Sequence, residues 1–306
     1  MDKPLNKQEA VFYGKFVNAA YAMFKRERTQ LRPEPKPGDI PDPYELVAWL
    51  HMSDFIFWWR ERPKFYGFIA RDQHEKHNFV LAIRGTEGWV EWLDDAMTTM
   101  VPFRQVPDAG RVERGFAKIY STLKVLKRHV GVGVAPAATP TATPAAAPVP
   151  TADVMTGSFA EQLEQLANTL EEPGVMSLAK ERRPRRSFVV TGHSLGSALA
   201  TLFVMENKNR FDISTICTFA SPRVGNSEFV RQFNQLHLRS LRIVNTQDIV
   251  PKVPIHAPFF DYQHVATEFS FSSVSEVKRN PGCWHSMRTY LHWLDSTIDV
   301  DPECKR

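Results

Sequence analysis

No apolar run in the 306 residues approaches the eighteen or so that a membrane-spanning helix needs. Cysteine is scarce: Cys217, Cys283 and Cys304 form no pair with metal-ligand spacing, which excludes a zinc ribbon or a disulfide-dense scaffold. Residues 1–7 lack the apolar stretch of a secretory signal, so a cytoplasmic location is the default expectation, with export by a signal-less route left open. In a reducing compartment a bridge between Cys283 and Cys304 is disfavoured. Neither sign of charge dominates, since 38 Lys and Arg against 34 Asp and Glu leave +4, and no nucleic-acid footprint follows from that balance. A hydrophobic share of 43%, a charged share of 24% and a mean hydropathy of −0.32 are those of a globular protein, not of a collagen-like or coiled-coil chain.

Composition shifts sharply once. Residues 135–152 hold eight Ala, five Pro, four Thr and one Val. The prolines forbid a helix, and the lack of large apolar side chains forbids a part in a core, so the segment reads as an extended tether. The patterns on its two sides look like parts of one sheet. The expectation is therefore a single domain over 1–306, with a flexible Ala/Pro/Thr-rich insertion at 132–157. After it, Phe159, Leu163, Leu166 and Leu170 follow helical spacing and predict a short helix over 158–172. The basic run at 180–186 reads as solvated charge ahead of a buried strand, with contact to anionic head groups as its functional alternative.

Phe12, Phe16, Ala19, Ala20 and Met23 predict an amphipathic helix ending near Arg28. Strands are predicted over 65–70, 78–83, 188–190, 213–219 and 241–244, and helices over 115–128, 195–207 and 286–298. Strands alternating with helices give an α/β fold with a mostly parallel central sheet flanked by helices. Cys217 falls in one of those strands and reads as a buried thiol.

The sharpest motif is Gly192-His193-Ser194-Leu195-Gly196, a G-x-S-x-G between an apolar strand and a helix. A serine on such a tight turn presents its hydroxyl above the sheet, and the N–H groups that open the helix face the place where an oxyanion would form. A glycine-rich structural turn is the alternative. A nucleophilic serine needs a base, and the base an orienting carboxylate. Asp248 lies just past the strand that ends at Asn245, at the edge of a parallel sheet where functional groups gather, and Asp261 in an irregular loop is its competitor. His285 stands where a loop enters the last predicted helix. His292 lies inside that helix and His264 reads as structural.

The chain resembles the class 3 lipases, the fungal-lipase-like branch of the α/β hydrolases. The resemblance rests on the strand followed by Arg84-Gly85-Thr86, on Trp92 and Asp95, Gly115-Phe116, Val190 to Gly196, Phe219 to Asn226, Val244-Asn245 with Asp248 and Val250-Pro251, and His285 with Tyr290-Leu291. These blocks follow the family's order from about residue 65 to 295. The resemblance implies an α/β-hydrolase fold and a triad of Ser194, Asp248 and His285. It also implies an oxyanion hole from Thr86 and the backbone N–H of Leu195, with Asp95 steadying the oxyanion residue. One departure is Glu113, where family members usually carry histidine two residues before Gly-Phe. The tether and helix between 132 and 175 have no counterpart in compact members.

The segment 87–96 occupies the family's lid position. Trp89, Trp92, Leu93 and Ala96 share one helical face, and Glu91, Asp94 and Asp95 the other. Such a helix covers an apolar groove when closed and lies on a lipid interface when open; an ordinary surface helix is the alternative. The aromatic cluster at 55–59 reads as core. The expectation is a serine carboxylic ester hydrolase of the triacylglycerol lipase type, acting on acylglycerols at an oil–water interface with no metal or cofactor. A short-chain esterase or a phospholipase would share the triad. From a different class, a catalytically silent hydrolase-like binding module stays open.

Overall fold

Asn6 accepts the Glu9 N–H and starts α1 (Lys7–Arg26), whose last turn carries Lys25 and Arg26 where the helix dipole favours cations. Phe16, Ala19, Ala20 and Met23 are buried along it, as the spacing predicts. These elements belong to a computed structural model that describes residues 5–53, 63–86, 99–128, 155–171, 185–255 and 261–306. The aromatic cluster at 55–59, the segment 87–96 with Trp89, Trp92, Leu93 and Asp95, and most of the insertion at 132–157 lie outside the described residues.

After α1 come β1 (Tyr44–Ser53), β2 (Pro63–Asp72), β3 (Asn78–Ile83), and a short hairpin of β4 (Met100–Pro102) and β5 (Arg111–Glu113). Next are α2 (Arg114–Tyr120), β6 (Lys124–Lys127), α3 (Phe159–Thr169), β7 (Ser187–His193), α4 (Leu195–Asn207), β8 (Asp212–Phe219) and α5 (Ser227–Asn234). The chain closes with β9 (Arg239–Asn245), β10 (Glu268–Phe271), α6 (Pro281–His285) and α7 (Met287–Leu294). One eight-stranded sheet runs in the order β10-β9-β8-β7-β3-β2-β1-β6. From β10 to β3 every pairing is parallel; β2, β1 and β6 pair antiparallel, so the sheet is mixed rather than uniform. Both faces are covered. One face packs on α2, α3, α4 and α5 through residues such as Phe116, Phe159, Phe203 and Phe229, and the other on α1 and α7.

Three expectations need correction. The helix predicted over 115–128 stops at Tyr120 and continues as β6. There Val125 faces the α4 side and Leu126 the α1 side, so both are buried only if the backbone alternates with period two. β1 goes unpredicted because Leu46 to Met52 are buried on both faces and show no alternation. The third is the bridge: Cys283 and Cys304 are joined, with Cα atoms 5.4 Å apart. The C-terminal 3-10 turn Pro302–Cys304 is brought beside α6 by an antiparallel bridge between Val277 and Lys305 and by the Lys278 N–H bond to Cys304 O.

The helix predicted after the tether does form, opened by a capping box in which Ser158 and Glu161 satisfy each other's backbone N–H groups. Its Gln162 is fully buried, accepts the Val125 N–H at 2.8 Å and donates to the carbonyls of Leu123 and Gly157. A side-chain amide thereby stands where another strand would otherwise pair with β6. Phe159, Leu163 and Leu166 carry α3 into the main core.

Candidate active site

The turn between β7 and α4 leaves Ser194 at φ 57° and ψ −129°, a left-handed conformation that a non-glycine residue adopts only where its surroundings impose it. Those surroundings are close. The Ser194 N–H bonds Phe219 O at 2.9 Å, and the Ser197 hydroxyl bonds Gly192 O at 2.7 Å and Phe219 O at 2.9 Å. A Cβ on Gly196 would sit 2.2 Å from Ile83 O, so only glycine lets α4 meet the end of β3. Leu195 is the first residue of α4, and its N–H belongs to the outward-facing set at the helix N-terminus.

Asp248 and His285 meet Ser194 in a line. His285 Nε2 lies 2.8 Å from Ser194 Oγ and its Nδ1 lies 2.7 Å from Asp248 Oδ2. All three are buried. The carboxylate has two further donors: Oδ2 also accepts the Tyr290 hydroxyl at 2.8 Å, and Oδ1 accepts the Val250 N–H at 3.0 Å. That arrangement keeps the Nδ1 proton of His285 on the Asp248 side and leaves the Nε2 lone pair to Ser194. Tyr290 in turn accepts the Asn245 N–H, and Asn245 Nδ2 holds the Trp284 carbonyl at 2.8 Å, so one buried amide ties the end of β9 to the residue before His285. Burial and the Asp248 charge push the Tyr290 hydroxyl well above its ordinary range, so it stays a donor.

Gly85, the residue before Thr86, lies against Ser194. A Cβ on Gly85 would come within 2.7 Å of Ser194 Cβ and of the Tyr21 hydroxyl, and the glycine permits that approach. Arg84 is buried, donates to Phe65 O at 3.0 Å and Gly85 O at 2.7 Å, and stacks on Phe24 and Tyr66. From α1, the Tyr21 hydroxyl accepts the Gly85 N–H at 2.8 Å and shares a 2.8 Å hydrogen bond with His193 Nδ1. Burial, with the nearby His285 charge, lowers the His193 pKa well below the ordinary value, so its ring is neutral.

Tyr21, Tyr290 and Asn245 are positioning groups that sequence reasoning misses. The latter two stand inside motifs shared with the family, yet nothing in the spacing assigns them partners. The competing residues find other work. Asp261 accepts the Ser227 N–H and the Gln263 side chain. His264 bonds Pro251 O at 2.7 Å, with burial lowering its pKa to about 3, and His292 bonds Ile298 O. Arg186 at the end of the basic run pairs with Glu171.

A strained serine on a strand-to-helix turn, in line with histidine and aspartate, agrees with the family comparison, for the sequence model of lipase (class 3) matches residues 80–257. The chain belongs to the class 3 lipase family. Among its relatives, phospholipase A1-II 1 of Oryza sativa subsp. indica is 27% identical over 278 residues, covering 84% of this chain and 60% of that protein. Phospholipase A1-II 4 of Oryza sativa subsp. japonica is 30% identical over 234 residues, covering 71% and 50%. This chain thus spans less than two thirds of those relatives' length. Among solved structures, the mono- and diacylglycerol lipase of Aspergillus oryzae aligns at TM-score 0.56 and 18% identity, over 87% of this chain and 80% of that one. Lip2 lipase of Yarrowia lipolytica aligns at TM-score 0.54 and 22% identity, over 86% and 78%. These likenesses establish the shared α/β-hydrolase fold.

Against the family, Glu113 has a structural explanation. Its carboxylate caps α2, accepting the N–H groups of Gly115 at 2.8 Å and Phe116 at 2.7 Å. It is 3% exposed, and burial pushes its pKa up to about 7 against the pull of those two donors and Arg114.

Proposed function

We propose that this class 3 lipase-like chain is a serine carboxylic ester hydrolase that cleaves acyl lipids through an acyl-enzyme on Ser194. The carrying observation is the line of hydrogen bonds from Asp248 through His285 to Ser194, at 2.7 and 2.8 Å. In this reading His285 Nε2 takes the Ser194 proton as Oγ attacks the ester carbonyl. Asp248 stabilises the imidazolium, and its three donors hold it in place. The N–H of Leu195 and the Thr86 residue receive the oxyanion. The imidazolium gives its proton to the departing alcohol oxygen, and water, deprotonated by the same histidine, then releases the acid.

Two substrate readings follow from the relatives' names: an acylglycerol, as for the Aspergillus oryzae enzyme, or a glycerophospholipid, as for the rice phospholipases A1. The test is hydrolysis of p-nitrophenyl esters of rising chain length and of emulsified triolein by wild type and Ser194→Ala. A loss of about ten-thousand-fold or more in the variant is expected. Equal activity in the two proteins would overturn the proposal, and wild type inert on every ester would bring forward the binding-module reading. A steep rise on the emulsion would mark an interfacial enzyme, and turnover confined to short soluble esters a simple esterase.

A further inference from the structure

A cleft of about 510 Å³ opens beside the triad, between α1 and the C-terminal segment. Its buried end is formed by Thr86 and His285; Lys25, Arg288, Asp301 and Glu303 stand on its walls. It meets the triad at the histidine, and Ser194 is not part of its lining.

In an ester hydrolase with this triad, that placement has a chemical meaning. The acyl half of an ester becomes bonded to Ser194, whereas the alcohol half departs with the proton that His285 delivers. A cleft touching the triad through His285 is therefore on the side of the departing alcohol. For triacylglycerol that alcohol is a diacylglycerol, nearly all hydrocarbon. Laying hydrocarbon over two cations and two carboxylates would strip their hydration and offer no partner in return. For a glycerophospholipid the departing alcohol carries a phosphodiester and its head group.

The four charged groups suit such a head. Lys25 Nζ is held only loosely, 3.9 Å from Asp301 Oδ1, and its side chain is 54% exposed. Arg288 commits its Nε to Asp299 O, and its terminal nitrogens make no bond to a described residue, so the fork is available for a phosphate. Asp301, anchored by the Ser286 hydroxyl, and Glu303 place negative charge on the same wall. We infer that this cleft is a head-group site for a zwitterionic glycerophospholipid, with the phosphate on Lys25 and Arg288 and the ammonium on Asp301 and Glu303. That assignment rests on the hydrolase function proposed for Ser194.

The test compares turnover of dioleoylphosphatidylcholine with that of 1,2-dioleoylglycerol, each at the same surface fraction in non-ionic detergent micelles, with Ser194→Ala as the blank. Wild type favours the phospholipid. The phospholipid-to-diacylglycerol ratio of kcat/KM falls about tenfold in Lys25→Ala and again in Arg288→Ala, the loss of one charge-assisted contact each. The ratio reads head-group recognition whatever a variant does to the absolute rate. Glu303→Gln shifts preference from phosphatidylcholine toward dioleoylphosphatidylglycerol, which has no ammonium. A wild-type ratio at or below one, or a ratio that neither cation variant moves, overturns the inference. p-Nitrophenyl butyrate separates the two levels: Ser194-dependent cleavage of it with an unmoved lipid ratio sinks the head-group site alone. Inertness toward all three substrates sinks the hydrolase reading and this inference together.

Discussion

Replacing Glu113 by Gln tests whether burial governs the one buried carboxylate that departs from the family's usual histidine. In the folded chain its pKa is pushed from the ordinary 4.5 up to about 7, with burial the largest cause. The folded protein thus holds this proton more tightly than the unfolded chain does. The stability so gained is complete below about pH 4.5, declines as pH rises, and is gone above about pH 7. A rise of that size corresponds to about 3 kcal/mol. The glutamine side chain would not titrate, and its amide can accept only one of the two N–H groups that the carboxylate caps, at a cost of about 1 kcal/mol. At pH 5, where both proteins carry a neutral side chain, their stabilities should be close, and by pH 8 the variant should be the stronger one. Urea unfolding of both proteins in half-unit steps measures the difference directly, and comparing like with like removes every other titrating group. The refuting result is a difference that stays constant within about 0.5 kcal/mol from pH 5 to 8, which would mean that Glu113 ionises like an exposed glutamate.

Three further outcomes are expected. Tyr290→Phe removes a donor to Asp248 and leaves the buried Asn245 N–H without its acceptor, so stability should drop by about 2 to 4 kcal/mol in denaturant melts; an unchanged midpoint would contradict the network. Tyr21→Phe frees the Gly85 peptide next to Thr86, and steady-state kinetics on a soluble ester should show kcat down about tenfold with KM little changed, whereas a rise in KM alone would argue against an oxyanion-side role. Cys304→Ser opens a bridge spanning 21 residues that include His285 and α7. Unfolding should then be easier by about 3 kcal/mol and should lose its sensitivity to dithiothreitol, and equal dithiothreitol sensitivity in both proteins would refute this.

In the parallel half of the sheet β3, β7, β8 and β9 are legible in the sequence because each is a short apolar run, as at Phe188 to Val190 before Gly192, whereas the edge strand β10, buried only at Phe271, goes unpredicted. The antiparallel half is less so. Val125 and Leu126 fit a helix as readily as a strand until β1 lies beside them, and β1 itself shows no alternation because both its faces are covered. At the site, local context singles out Ser194 and favours Asp248 and His285, the family resemblance completes the triad, and these are the three side chains the fold brings to hydrogen-bonding distance. The bridge escapes a reading that weighs compartment ahead of topology. No spacing rule reveals that the last residues return to pair Lys305 with Val277 and so carry Cys304 to Cys283. Tyr21 escapes for a similar reason: it acts on His193 from 172 positions away, and on a helix of apolar periodicity its hydroxyl looks incidental.

The hidden groups share a purpose that the visible ones do not announce. Two imidazoles lie close together at the site, the rings of His193 and His285 4.7 Å apart and tilted by 41°. Burial, together with repulsion from a charged His285, makes His193 a poor base, and Tyr21 occupies its Nδ1. His285 instead turns its Nδ1 to Asp248, the carboxylate held by Tyr290 and the Val250 N–H. In the proposed reaction, the positive charge that develops as Oγ attacks falls on the one ring that also touches Ser194 Oγ. A histidine next to the nucleophile would compete for that charge if it were solvated. Kept neutral, it serves as a spacer linked through Tyr21 to the Gly85 N–H, so the segment that follows β3 and the turn that carries Ser194 are set by one shared hydroxyl.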